Sequence, residues 1–185
     1  MLNEIKQDAQ TRMAKSIDAL RHTLIKVRTG RASTALVEHL KVNYYGSEMP
    51  LSQVASVAVA DARSLTISPW EKQMVSAVEK AILASDLGLT PNTSGTTIRL
   101  NLPALTEERR RELSKVVHGE GEDSKVAIRN IRRDANQQIK DLLKDKHVTE
   151  DEARAAEDDI QKLTDKAIKD VDDVVKGKEQ ELMAV

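Results

Sequence analysis

The apolar residues of this chain follow two different periods, and the places where the period changes divide it. In residues 2–28, Met13, Ile17, Leu20, Leu24 and Val27 are spaced four, three, four, three. A helix turns about 100° per residue, so this spacing sets all five on one seam. Residues 106–146 continue the theme with Ile128, Ile131, Ala135, Ile139 and Leu142. Residues 150–183 do so with Ala153, Ala156, Ile160, Leu163, Ala167, Val171 and Val174. A helix cannot bury its own seam. Three seams of this kind predict an elongated three-helix bundle closed around a shared core.

Helix boundary signals agree with that division. Gly30 is a stop signal for the first helix. Thr106 can cap the second, with Glu107 and Glu108 in its first turn, where the positive end of the helix dipole favours them. Thr149-Glu150-Asp151-Glu152 is a capping box for the third, a hydroxyl followed by a carboxylate three residues on. Gly119 and Gly121 interrupt the second helix, each at about 1 kcal/mol relative to Ala. The helix is expected to continue through them, with its local stiffness left open.

Residues 31–105 obey a period of two. Leu40, Val42 and Tyr44 alternate with polar residues, as do Val57 and Val59, Leu65 and Ile67, and Ile98, Leu100 and Leu102. Alternation predicts strands. Met74, Val78 and Ile82 mark one short helix, with Gly88 beyond it as a stop. The expected fold is therefore α+β: a three-helix bundle of residues 1–30 plus 106–185, with a small β/α/β domain of residues 31–105 inserted in it. Two connections join the parts, so Gly30, Arg31, Leu105 and Thr106 are expected to form a hinge, the competing reading being two domains fixed rigidly by an interface.

Composition excludes much chemistry. Aromatic residues are 2% of the chain, namely Trp70, Tyr44 and Tyr45, with no Phe. The core must then come from Leu, Ile, Val, Ala and Met. There is no Cys, so neither disulfides nor thiolate chemistry is possible. No apolar run approaches the roughly 20 residues of a membrane helix. Met1-Leu2-Asn3-Glu4 opens without a signal-peptide core, and a cytoplasmic protein without membrane contact is expected.

His22, His39, His118 and His147 show no i, i+4 pair for a helical zinc site. No phosphate-binding G-x-x-x-x-G-K-[ST] loop and no G-x-S-x-G elbow occurs. Asn92-Thr93-Ser94-Gly95 reads as an ordinary loop, and Gly119-Glu120-Gly121 is too short for a dinucleotide fingerprint. Asp158-Asp159 and Asp172-Asp173 read as the solvated face of the last helix. No catalytic constellation, metal site or cofactor is expected.

The charge is unevenly spread. The net value is −1, but residues 1–30 carry six cations to three anions, 106–147 eleven to nine, and 148–185 six to twelve. On a helical wheel Lys125, Arg129, Arg132, Arg133 and Lys140 fall within an arc of about 100° beside the apolar stripe. Arg111, Lys115 and His118 join that face if the helix is unbroken, and Arg110 projects close to the seam. A row of guanidinium groups on a rigid helix can read phosphate charge and shape. With almost no aromatic side chains to stack on bases, structured RNA fits better than single strands. The competing reading is a solvated face laced by ion pairs, with Asp134 and Asp141 neutralising part of the row. Patterning alone leaves both open.

Six segments add a resemblance. KVRTGRAS (26–33), VNYYG (42–46), SPWEK (68–72), EKAILASDLGLTPN (79–92), LTEERRREL (105–113) and VAIRNIRRDAN (126–136) together resemble the bacterial ribosome recycling factors, from the first helix to the last. The resemblance implies a three-helix bundle with a β/α/β domain, set in an L about the size of transfer RNA. It implies a non-enzymatic factor that binds the post-termination ribosome across the subunit interface. With elongation factor G and GTP bound to that partner, such a factor separates the subunits and releases mRNA and tRNA. Carried over on the motifs, Arg28, Arg31, Arg110, Arg129, Arg132 and Arg133 are expected to contact ribosomal RNA, and Lys125 joins them from the wheel. The bundle is implied to meet large-subunit RNA, the insert to face the small subunit and elongation factor G, and the chain is expected to be monomeric. The rival readings are a coiled-coil interaction protein or chaperone without an RNA role, which leaves the insert and arginine row unexplained, and a metal-dependent hydrolase, which lacks a His partner and a cleft.

Overall fold

The computed structural model describes residues 1–27 and 30–184. The chain divides into two compact units, Met1–Val27 with Glu108–Val185, and Arg28–Glu107. The first unit holds three helices, α1 (Leu2–Ile25), α4 (Glu107–Lys144) and α5 (Glu150–Met183). The second holds β1 (Lys41–Tyr44), β2 (Ser47–Pro50), α2 (Leu51–Val54), β3 (Ala55–Asp61), β4 (Ser64–Pro69), α3 (Val75–Leu83), β5 (Pro91–Ser94) and β6 (Thr97–Asn101).

The seams of the first unit meet as their spacing requires. Ala9, Met13, Ile17, Leu20 and Leu24 of α1 are buried, as are Val117, Ile128, Ile131, Ala135 and Ile139 of α4. α1 ends at Ile25, earlier than its pattern suggests, because the last turn tightens: Lys26 N–H donates to Thr23 O and Val27 N–H to Leu24 O. Val27 is half-buried. In α5 the seam drifts by one residue from the expected line. Thr164 and Val175 are buried, whereas Leu163 and Val174 are half-buried. Thr164 tolerates burial because its hydroxyl donates to Ile160 O at 2.7 Å.

α4 runs unbroken through Gly119 and Gly121. At Gly121 the reason is contact: a Cβ built there would lie 2.5 Å from Val175 Cγ2 of α5. α4 closes with Lys146 in the left-handed region, φ 59°. His147 N–H reaches back to Leu142 O and Lys146 N–H to Leu143 O, the bonds of a Schellman cap. The expected capping box opens α5: Thr149 Oγ1 accepts from Glu152 N–H at 3.2 Å, and Glu152 Oε2 accepts from Thr149 N–H at 2.9 Å. Lys6–Asp159 joins α1 to α5 at 2.7 Å, and Arg12–Asp134 joins α1 to α4 at 3.1 Å.

In the second unit four antiparallel strands lie in the order β3-β4-β6-β5, and β1 pairs β2 in a separate hairpin. Leu65 faces Leu100 and Ile67 faces Ile98, and all four are fully buried with Val78 and Ile82 of α3. The hairpin turns at Tyr45 and Gly46, φ 49° and 90°, a pair of positive values that suits the right-handed twist of the flanking strands. Asn43 Oδ1 accepts from Gly46 N–H there. Residues 92–94, expected as loop, form the edge strand β5, with Asn92 opposite Arg99 and Thr93 opposite Ile98. Its side chains bury little, so no alternation marks it; β6 supplies the pairing. Gly95 follows in a left-handed turn, φ 63°. Among the described residues no helix is long and apolar enough to cross a membrane.

Candidate nucleic-acid interface

The arginine row rests on α4, whose outer face is set by the buried stripe on the other side. Arg133 and Lys140 are exposed; Arg129 and Arg132 are half-buried. Among the described residues no carboxylate stands within ion-pair distance of Arg129, Arg132, Arg133 or Lys140. Asp134 and Asp141, the α4 carboxylates expected to neutralise part of the row, are engaged elsewhere. Asp134 Oδ2 holds Arg12 of α1, and Asp141 Oδ1 accepts from Gln137 at 3.0 Å. Two of the arginines are steadied by amides. Arg132 Nη1 donates to Gln161 Oε1 of α5 at 3.3 Å, and Arg133 Nη1 approaches Asn130 Oδ1 at 3.5 Å. A neutral acceptor orients a guanidinium without cancelling its charge.

Lys125 is engaged by carboxylates of the bundle. Its Nζ lies 2.5 Å from Asp172 Oδ1 and 3.4 Å from Glu122 Oε1, with 17% of the side chain exposed. The hydrogen bond to Asp172 holds the ammonium above its ordinary pKa. Lys125 therefore cross-links α4 to α5 instead of offering a free charge. His118 belongs to the same flank, with Nδ1 2.9 Å from Glu179 Oε1. The wheel places a residue on a face but cannot show that a neighbouring helix supplies a carboxylate there.

Arg110 is half-buried, as its place near the seam suggests, and its Nε is buried with no partner among the described residues. Arg31 is exposed. Arg28 lies outside the described residues. Gly30 takes φ +76°, and a Cβ there would sit 3.5 Å from Leu105 Cγ within the second unit. The positive φ is the physical reason for glycine at this position.

One cluster has no sequence signal. Tyr44 and Tyr45 pack edge to face with ring centroids 4.7 Å apart, and both hydroxyls donate to Glu71 at 2.7 Å, one to each oxygen. Gln73 Oε1 lies 3.0 Å from the Tyr45 hydroxyl and can only share the proton donated to Glu71. These bonds hold the Glu71 carboxyl below and both phenols above their ordinary pKa values. Tyr45 and Trp70 remain 66% and 65% exposed, so the few aromatic residues serve mostly the surface. Among the described residues no group of His, Asp or Glu is arranged to hold a metal ion.

Comparison with known proteins agrees over the whole chain. The profile of the family described as ribosome recycling factor matches residues 20–183. The ribosome-recycling factors of Xanthomonas campestris pv. campestris (strain B100) and Xanthomonas euvesicatoria pv. vesicatoria (strain 85-10) are 77% and 76% identical, each aligned over the full length of both chains. A solution structure of a ribosome recycling factor matches with a TM-score of 0.83 at 41% identity, covering 100% of this chain and 98% of that one. The T. thermophilus ribosome recycling factor, placed with E. coli elongation factor G on the E. coli post-termination complex, matches with a TM-score of 0.68 at 45% identity over the whole of both chains. A bundle bearing an arginine row, joined to a small sheet unit and matched in full by these relatives, belongs to the ribosome recycling factor family of non-enzymatic translation factors.

Proposed function

We propose that this chain grips ribosomal RNA of the large subunit, at the subunit interface of the post-termination ribosome, through Arg129, Arg132 and Arg133 of α4. Arg28, Arg31 and Arg110 join them on the strength of their motifs. Elongation factor G, carrying the GTP, then moves the second unit about Gly30–Arg31 and Leu105–Thr106, so that the subunits separate and mRNA and tRNA leave. The chain acts as a monomer in the cytoplasm, where bacterial ribosomes work.

The observation that carries this reading is the freedom of the row. Among the described residues three neighbouring arginines stand without carboxylate partners on a helix where Arg109, Lys125 and Asp134 are paired. Unpaired guanidinium groups suit phosphate, which they can bind in bidentate fashion. The T. thermophilus relative described with elongation factor G supports the partner. The test is Arg132→Ala in a ribosome-binding titration across a salt series. Each phosphate contact releases counterion, so the slope of log affinity against log salt should fall by about one. Affinity should drop on the order of tenfold, the scale of one charged hydrogen bond. An unchanged slope and affinity would remove Arg132 from the interface.

A further inference from the structure

α4 and α5 run antiparallel with a ladder between them. His118, Lys125 and Arg132 follow one another at seven-residue steps on α4, and Glu179, Asp172 and Asp165 at the same steps on α5 in the opposite direction. Seven residues are about two helical turns, with a drift of only about 20°. The first two rungs close: His118 meets Glu179 and Lys125 meets Asp172. The third, Arg132 with Asp165, stays open. Gln161 stands in it. Its Nε2 donates to Asp165 Oδ1 at 2.8 Å, and its Oε1 accepts from Arg132 Nη1 at 3.3 Å. A carboxylate only accepts and a guanidinium only donates, so the amide has one orientation that serves both.

Resting on the RNA reading above, we propose that Gln161 is a positioning residue: it occupies Asp165, blocks the third rung of the ladder, and so keeps the charge of Arg132 available for phosphate. Without the amide, Asp165 stands in the register that pairs it with Arg132 as Asp172 pairs with Lys125. The interaction would then compete with phosphate for the same guanidinium.

Gln161 and Asp165 are both exposed, so their replacement leaves the buried seam intact, and a helical melt checks this. The experiment measures ribosome affinity across a salt series for Gln161→Ala, Gln161→Ala with Asp165→Asn, and Arg132→Ala. The guanidinium ¹⁵N–¹H spectrum of Arg132 is recorded for the free protein, because a paired carboxylate slows rotation of that group. Gln161→Ala should weaken binding about two- to fivefold, the worth of one exposed ion pair, lower the salt slope and slow the Arg132 rotation. Adding Asp165→Asn should restore all three. An unaltered Arg132 spectrum in Gln161→Ala, or a loss that persists with Asp165→Asn, overturns the inference while leaving the RNA reading intact. If Arg132→Ala itself changes neither affinity nor slope, the RNA reading falls and the inference with it.

Discussion

Gly119 and Gly121 stand two residues apart in one unbroken helix, and a methyl group added at each should have different effects on stability. At Gly119 nothing among the described residues lies within 4 Å of the new Cβ. Gly119→Ala therefore collects only the propensity difference, about 1 kcal/mol of added stability. At Gly121 the same gain is opposed by a contact of 2.5 Å with Val175 Cγ2. Val175 is 7% exposed, and a β-branched side chain in a helix has essentially one χ1 rotamer, so it cannot swing aside. Overpacking of this kind costs about 1–3 kcal/mol. Gly121→Ala should thus lie about 1–3 kcal/mol below Gly119→Ala, or about 2–12 °C in Tm for a chain of this size. Urea and thermal unfolding followed at 222 nm read the difference, and Val175→Ala in the Gly121→Ala background should recover much of it. Equal stability of the two single variants would refute the claim that α4 and α5 need glycine at their approach.

Three further outcomes follow from local geometry. Lys146 holds a left-handed conformation that an L side chain disfavours, so Lys146→Gly should stabilise the bundle by about 0.5–1 kcal/mol in the same denaturation assay. The Glu71 bracket contributes stability above the ordinary carboxylate pKa, lost as pH falls through the lower folded value, and a second part below the ordinary phenol pKa, lost as pH rises through the higher folded values. Glu71→Gln should flatten both limbs of a stability–pH curve, and absorbance titration at 295 nm should show the tyrosines losing their protons at lower pH than in the unsubstituted protein. Gly30→Pro cannot keep φ at +76° and should impair subunit splitting, read by light scattering with elongation factor G and GTP, more than ribosome binding; equal loss of both would count against a hinge at Gly30.

Much of the helical half was legible because its signals are local. Steps of three and four place Met13, Ile17, Leu20 and Leu24 on one face whatever they pack against, and Thr149 and Glu152 satisfy each other within one turn. The arginine row could be placed on a face for the same reason. What that face does depends on which neighbour supplies the nearest carboxylate, and this no period records. Asp134, next to Arg133 in sequence, turns to Arg12 of α1, while Asp172, far away in sequence, takes Lys125. The edge strand β5 escaped because its register belongs to β6, not to its own polar residues. Gly121 read as a weakness in the helix; only the approach of Val175 shows it as the condition for two long helices to touch. Sequence determines faces and caps, since these depend on bonds and angles within a few residues. Pairing between faces is decided by the tertiary structure, since it depends on which side chains arrive within a few ångströms from distant parts of the chain.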